Sequence, residues 1–295
     1  MTHSNRRSVF ERVILDLNTQ CDFLLPGGAL PVANRADVLP RVRQLMNWAR
    51  LSKIPVISSL EAHRPGESFR NLPPHCLDHT LGQKKLPFTL MPNRMLIMGD
   101  NTADVPMQPF TRFQQLIFTK RNADFLANPK ADRLINTIEP EYWIIFGITA
   151  THCVKHVTLG LLARHHKVVV VRDACGYWSA VDGEHAFRQM EAKGAILATT
   201  GELTDGSVAE AIRAHKLQVD AEEESDANEA GLESNPGKTT AGANGRRNGA
   251  KSGVPKSGAG RQSDLHPEDV ADFVPQHLVR RRARAAGRKP GRGLA

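Results

Sequence analysis

Cysteine is scarce in this chain: four thiols are scattered through 295 residues with no paired spacing. That usage excludes a disulfide framework and points to a reducing compartment. Long apolar runs are missing as well. No segment approaches the ~20 apolar residues that a spanning helix needs. The opening stretch MTHSNRRSVFERVILDL carries no apolar core of the signal-peptide kind. The expectation is a soluble, cytoplasmic chain with no membrane partner. Glycine fingerprints for phosphate loops or dinucleotides are also lacking, and the PGG at 26–28 reads as a turn. No internal repeat is evident.

What is present is unevenly spread. The hydrophobic content is 40%, and nearly all the large apolar residues lie before about residue 218, which is ample for one core. From 220 the chain turns acidic (DAEEESDANEAGLE), then rich in Gly, Ser, Ala and Lys, and it ends in HLVRRRARAAGRKPGRGLA. Such segments bury too little apolar surface to offset chain entropy. The expected organisation is therefore a domain over 1–218 and a mostly disordered tail, acidic then basic, over 219–295. The formal net charge is +8. The basic end makes weak nucleic-acid contact one expectation, and a plain solvated tail the other.

Through the first 200 residues strand and helix patterns alternate. Strands are expected at 12–17, 54–60, 115–119, 142–147, 167–173 and 195–199. Helices are expected at 36–51, ~124–137, 152–165 and 182–193. The stretch 61–113 reads as irregular, with one apolar patch at RMLIM. This alternation predicts an α/β fold with a mainly parallel sheet and helices on both faces. In such sheets ligands bind at the carboxyl ends of the strands.

Three reactive groups fall at strand ends: Asp16 after RVIL, Lys120 after QLIFT, and Cys153 behind YWIIFGI. A cation and a helix terminus favour a thiolate, and a carboxylate can shuttle its proton. The set suits nucleophilic attack on an acyl carbon. A second group is Glu61, His63 and His75. On an extended backbone Glu61 and His63 point to one side, and a carboxylate with two imidazoles suits zinc or a first-row divalent metal such as Mn or Fe. Cys21, Cys76 and Cys175 read as packing residues, and Asp173 as a cap.

The motifs LDLNTQCDFLLPGGAL (15–30), LPPHCLDHTLGQKKL (72–86) and FGITATHCV (146–154) resemble those of the isochorismatase-like cysteine hydrolases, most closely the nicotinamidases. The resemblance covers about residues 10–200. It implies a three-layer α/β/α, Rossmann-like fold, with Cys153 as nucleophile, Asp16 as general acid/base and Lys120 as the supporting cation. It further implies a cis peptide at Ile148–Thr149, an oxyanion hole from the backbone N–H groups of Thr149 and Cys153, and a metal on Glu61, His63 and His75. Phe23 and Leu72 become substrate-binding residues, and a homo-oligomer is expected. The implied reaction converts a small carboxamide to acid and ammonia through a thioester.

The chain departs from the family pattern at four places. Glu61 stands for an aspartate, Leu72 for a tryptophan, Ala62 for an aromatic, and two extra residues separate Asp16 from Asp22. These changes leave open another small amide, such as a carbamoyl or ureido compound. A non-catalytic relative that binds nucleic acid through the tail is the third alternative.

Overall fold

The computed structural model describes residues 8–67, 72–99, 105–122 and 124–212. The tail, its proposed nucleic-acid contact and the boundary at 218 lie outside the described residues. The described elements belong to one compact unit, apart from residues 209–212, which open a second.

The sheet has seven strands, all parallel: β1 (Ser8–Leu17), β2 (Val56–Glu61), β3 (Arg94–Ile97), β4 (Gln115–Lys120), β5 (Ile138–Ile148), β6 (Val168–Gly176) and β7 (Ile196–Ala198). Their order is β3-β4-β2-β1-β5-β6-β7, so β1 is central. Val13, Ile14, Leu15 and Leu17 of β1 are fully buried, as a strand covered on both faces requires. The helices are α1 (Cys21–Leu24), α2 (Arg35–Leu51), α3 (Pro129–Thr137), α4 (Lys155–Leu162), α5 (Ala180–Glu191) and α6 (Thr200–Thr204). They pack in groups, α2 with α6 and α4 with α5, consistent with a three-layer α/β/α arrangement. No described helix is long and apolar enough to cross a membrane.

Three elements differ from expectation, each for a local reason. Helix α3 starts at Pro129, not near 124, because Asn128 accepts hydrogen bonds from the N–H groups of Lys130 and Ala131 at 3.0 and 3.3 Å. Proline suits a first helical position, where no N–H is needed. Strand β3 lay hidden in the irregular stretch because it is a four-residue edge with Leu96 exposed. Helix α6 is set by a capping box between Thr199 and Glu202. Asp173 holds its start by accepting from the Thr200 N–H and hydroxyl at 2.9 and 2.8 Å.

Strand β5 ends in a constraint that shapes everything after it. Gly147 has φ +127°, and a Cβ there would lie 2.0 Å from the Leu17 carbonyl. Only glycine lets β1 and β5 approach this closely where both strands end. Gly147→Ala is therefore expected to cost at least about 2 kcal/mol, lowering the melting temperature by about 4 °C or more. Calorimetry of the two proteins checks this.

Candidate active site

Four strand ends feed one buried cluster. Past Leu17 the chain turns at Asn18, whose φ of +51° is a left-handed conformation that asparagine tolerates. The Asn18 carbonyl oxygen accepts from the Ser59 hydroxyl at 2.6 Å, which fixes the amide's orientation. Its Nδ2 then donates toward Glu61 Oε1 at 2.8 Å, the Ile148 carbonyl at 2.9 Å and Cys153 Sγ at 3.1 Å.

Lys120 at the end of β4 uses all three ammonium hydrogens. They reach Glu61 Oε1 at 3.0 Å, the Asn122 carbonyl at 2.8 Å and Cys153 Sγ at 3.3 Å. The thiol itself donates toward Glu61 Oε1 at 3.8 Å. Cys153 sits in a π-helical turn, Ala150–Val154, that leads into α4, and the Ile148–Thr149 peptide is cis.

The other carboxylate oxygen faces away from the thiol. Glu61 Oε2 lies 3.4 Å from His63 Nε2 and 3.3 Å from His75 Nε2. Each imidazole is turned by its second nitrogen: His63 Nδ1 lies 3.1 Å from Glu67 Oε2, and His75 Nδ1 lies 2.8 Å from the Pro73 carbonyl. The ligand atoms of Glu61, His63 and His75 lie within 4.8 Å of one another. Two imidazoles and a carboxylate, with outer partners that aim the rings, fit a divalent cation.

The loop that carries these imidazoles is pinned to the sheet. His63 N–H donates to the Cys76 carbonyl and Asp78 N–H to that of His63. Asp22 accepts from the N–H groups of Ala29 and Cys76 at 2.9 and 2.7 Å. Gln20 clamps Glu61 by accepting from its N–H and donating to its carbonyl, both at 2.8 Å.

Charge follows from these contacts. Burial alone would push Glu61 up, but Lys120 and the two imidazoles outweigh it and hold the carboxyl well below the usual range. Burial also opposes a charged Lys120, yet Cys153 and Glu61 keep the ammonium above its ordinary value. The Cys153 thiol goes the other way. Burial raises it, Lys120 and the Asn18 amide only partly compensate, and Glu61 adds to the rise. Burial thus works against the thiolate expected from a helix terminus, and Glu61 and Lys120 form an ion pair at 3.0 Å. Burial, reinforced by His156 and Lys155, pushes the neighbouring His152 down to about 4, so that ring is neutral.

A family model, the isochorismatase domain, matches residues 13–202. The chain belongs to the isochorismatase family. No curated protein matches it in sequence. Among solved structures, an isochorismatase family protein of Desulfovibrio vulgaris has 20% identity and a TM-score of 0.53, covering 68% of this chain and 99% of that one. A nicotinamidase/pyrazinamidase of Bacillus subtilis has 15% identity and a TM-score of 0.51, covering 64% and 100%. A pyrazinamidase of Pyrococcus horikoshii in complex with zinc has 21% identity and a TM-score of 0.49, covering 64% and 99%. At these identities the likeness is one of fold.

The structure brings Lys120, Cys153, Glu61, His63 and His75 together, and leaves Asp16 out. The Asp16 carboxylate is fully buried beneath the site, accepting from Thr19 at 2.8 Å and Ser58 at 2.9 Å and pairing with Lys85 at 2.9 Å. It does not touch the thiol or Lys120. The family motif Asp-x-Gln-x-Asp-Phe explains why. Counted back from Asp22 and Phe23, it falls on Gln20 and Asn18 with no insertion. Asn18 thus stands where the isochorismatase-family motif opens with aspartate, and the two apparent extra residues vanish. Asn18 and Gln20 are the site residues that the sequence reading missed; the Gln-x-Asp-Phe spacing was the signal for both. Phe23 is buried, its ring 5.5 Å from that of His75, and Leu72 is half-buried.

Asp16→Asn separates the two assignments. It leaves the buried Lys85 without a counter-charge, a loss of about 3–5 kcal/mol, so the denaturant midpoint should fall sharply. Iodoacetamide modification of Cys153 in the folded fraction should stay within about threefold of the unmodified sequence, because the Asp16 carboxylate is engaged by Thr19, Ser58 and Lys85 and not by the thiol. A stable variant with an unreactive thiol would return Asp16 to the chemistry.

Proposed function

We propose that this hydrolase acts on a small carboxamide, nicotinamide being the first substrate to try, releasing acid and ammonia through a thioester on Cys153. The observation that carries the reading is the convergence on one thiol of an ammonium at 3.3 Å and an amide donor at 3.1 Å. Both lie at the carboxyl edge of a parallel sheet, where such folds bind ligands.

In this reading Cys153 sulfur attacks the carbonyl carbon, and Lys120, fixed in its charged form, stabilises negative charge as it develops on sulfur. The Asn18 amide orients the thiol and spaces it from Glu61. Backbone N–H groups of Thr149 and Cys153 are the proposed oxyanion donors, a kind of contact that contributes roughly 3 kcal/mol to the transition state. Phe23 and Leu72 are the proposed apolar walls. A divalent cation of the zinc, manganese or iron type, held by Glu61, His63 and His75, would supply a Lewis-acid contact for a donor atom of the substrate.

A second reading keeps the thiol chemistry and changes the amide. Ala62 and Leu72 offer no flat aromatic surface, and this favours a carbamoyl or ureido substrate over a pyridine ring.

Ammonia release from nicotinamide, set against the Cys153→Ala variant with metal content measured on the same samples, tests both readings. Cysteine-dependent release with roughly one equivalent of metal supports the first. A folded protein that spares nicotinamide but cleaves a ureido or carbamoyl compound supports the second. If Cys153→Ala retains full hydrolysis of any substrate found, the thioester route is wrong.

A further inference from the structure

The PGG turn at 26–28 and the carboxylate of Asp22 take no part in the chemistry above, yet they meet at the base of the two-imidazole cluster. Asp22 lies in α1, and the turn that follows brings the chain back over it. Gly28 N–H donates to the Leu25 carbonyl at 3.0 Å, and Leu30 N–H donates to the Asp22 carbonyl at 3.1 Å. This path delivers the Ala29 N–H to Asp22 Oδ1 at 2.9 Å. The second oxygen, Oδ2, reaches out of its own loop and accepts from the Cys76 N–H at 2.7 Å.

Cys76 is the backbone point that the two imidazoles share. Its N–H belongs to the peptide that joins it to His75, and its carbonyl accepts from the His63 N–H at 3.0 Å. Its φ of +47° is a left-handed conformation that a residue with a side chain keeps only when its surroundings hold it. Asp22 Oδ2 is the partner that holds its N–H. The next residue of α1 adds a ring contact, with Phe23 5.5 Å from His75, and the His75 ring in turn lies 5.1 Å from that of His63. The loop beyond the imidazoles also closes on this carboxylate. A Cβ at Gly82 would lie 2.1 to 2.3 Å from the Asp22 carboxyl atoms, so a side chain there would drive the carboxylate away from Cys76.

We propose that Asp22 is a positioning residue for the cation site: acting through Cys76, its Oδ2 sets the spacing and angle at which His63 and His75 face Glu61. This rests on the reading of Glu61, His63 and His75 as a cation site. Asp22 is not one of the three ligands; it fixes the backbone from which both rings project. Outer partners of this kind change cation affinity by about 10- to 100-fold.

The test uses the full chain with cobalt(II) as the probe. Equilibrium dialysis gives the affinity, visible absorption at saturation reports the coordination geometry, and circular dichroism checks folding. His63→Ala, which lacks a ligand, supplies the baseline for cobalt held elsewhere. Asp22→Ala is expected to bind cobalt about 10- to 100-fold more weakly and to show a changed absorption band at saturation. Gly82→Ala keeps the carboxylate but displaces it, and is expected to reproduce both changes. Asp173→Asn is the control for lost stability, since Asp173 holds the start of α6. It should bind cobalt within about threefold of the natural affinity and with the natural band.

Natural affinity and an unaltered band in Asp22→Ala would overturn the proposal. So would an Asp173→Asn variant that loses as much as Asp22→Ala, because the effect would then be general destabilisation. Should Asp22→Ala fail to fold, Gly82→Ala decides: weaker binding with a changed band supports the assignment, and natural binding refutes it. A natural chain that takes up no more cobalt than His63→Ala refutes the cation site and the proposal with it. Uptake that is lost in His63→Ala but kept in Asp22→Ala refutes the proposal alone.

Discussion

The Glu61–Lys120 ion pair is the interaction on which the rest of the site depends. Both side chains are almost wholly withdrawn from water, and two such charges are costly to bury unless every remaining donor and acceptor finds a partner. The chain meets that condition closely. Lys120 places its hydrogens on a carboxylate, a carbonyl and a sulfur. Glu61 is bordered by an amide, an ammonium and a thiol on one oxygen, and by two imidazoles on the other. Removing Glu61 or Lys120 strands the other's charge. The same carboxylate borders both the thiol and the imidazoles, so the thiol cannot be considered apart from the metal-type cluster. The two constellations that look separate in sequence share a carboxylate.

The sheet makes that sharing geometrically natural. Glu61 and Lys120 reach the same level because β2 pairs with β4 in matched register, whereas Asp16, level with Ser58 and Ile117, stands lower in the sheet. The close approach of Gly147 to Leu17 sets the height at which β5 delivers the turn with Cys153. Beneath lies a second buried pair, Asp16 with Lys85, tied through Ser58 to Gln115. Lys85 also donates to the Thr19 hydroxyl at 2.7 Å. The lower pair anchors the far end of the loop that bears the imidazoles, so it acts as a foundation for the upper one.

Much of this was legible in the sequence. Apolar runs separated by amphipathic stretches marked six of the seven strands and the four longest helices, since a strand buried on both faces has little room for polar residues. Cys153, Lys120, Glu61, His63 and His75 could be read because each sits next to a strand end or a Pro-His motif. Asp16 misled because an extended strand would point it and Asn18, two residues on, to the same side. The left-handed turn at Asn18 instead brings that side chain to Ser59, while Asp16 reaches Ser58. The sequence around them does not say which one lies above the sheet's edge. The partner that draws Asp16 down is Lys85, far along the chain in a loop without periodicity. A contact between two loops leaves no local pattern. The raised thiol was equally invisible, because desolvation depends on what covers a residue and not on its neighbours in sequence.

One feature at the rim separates the two halves of the site. Arg121, next to Lys120 in sequence, donates to the Ala62 carbonyl at 2.7 Å and pairs with Glu67 at 3.1 Å and Asp78 at 3.2 Å. It thereby staples the His63 loop to the end of β4. These three side chains are partly open to solvent, whereas Glu61 and Lys120 are not. Mobile ions screen the first set and scarcely reach the second. Raising the ionic strength therefore loosens the loop that presents the imidazoles while the carboxylate, ammonium and thiol stay in place. Salt thus acts on the rim of the His63 loop while leaving the buried carboxylate–ammonium pair largely unscreened.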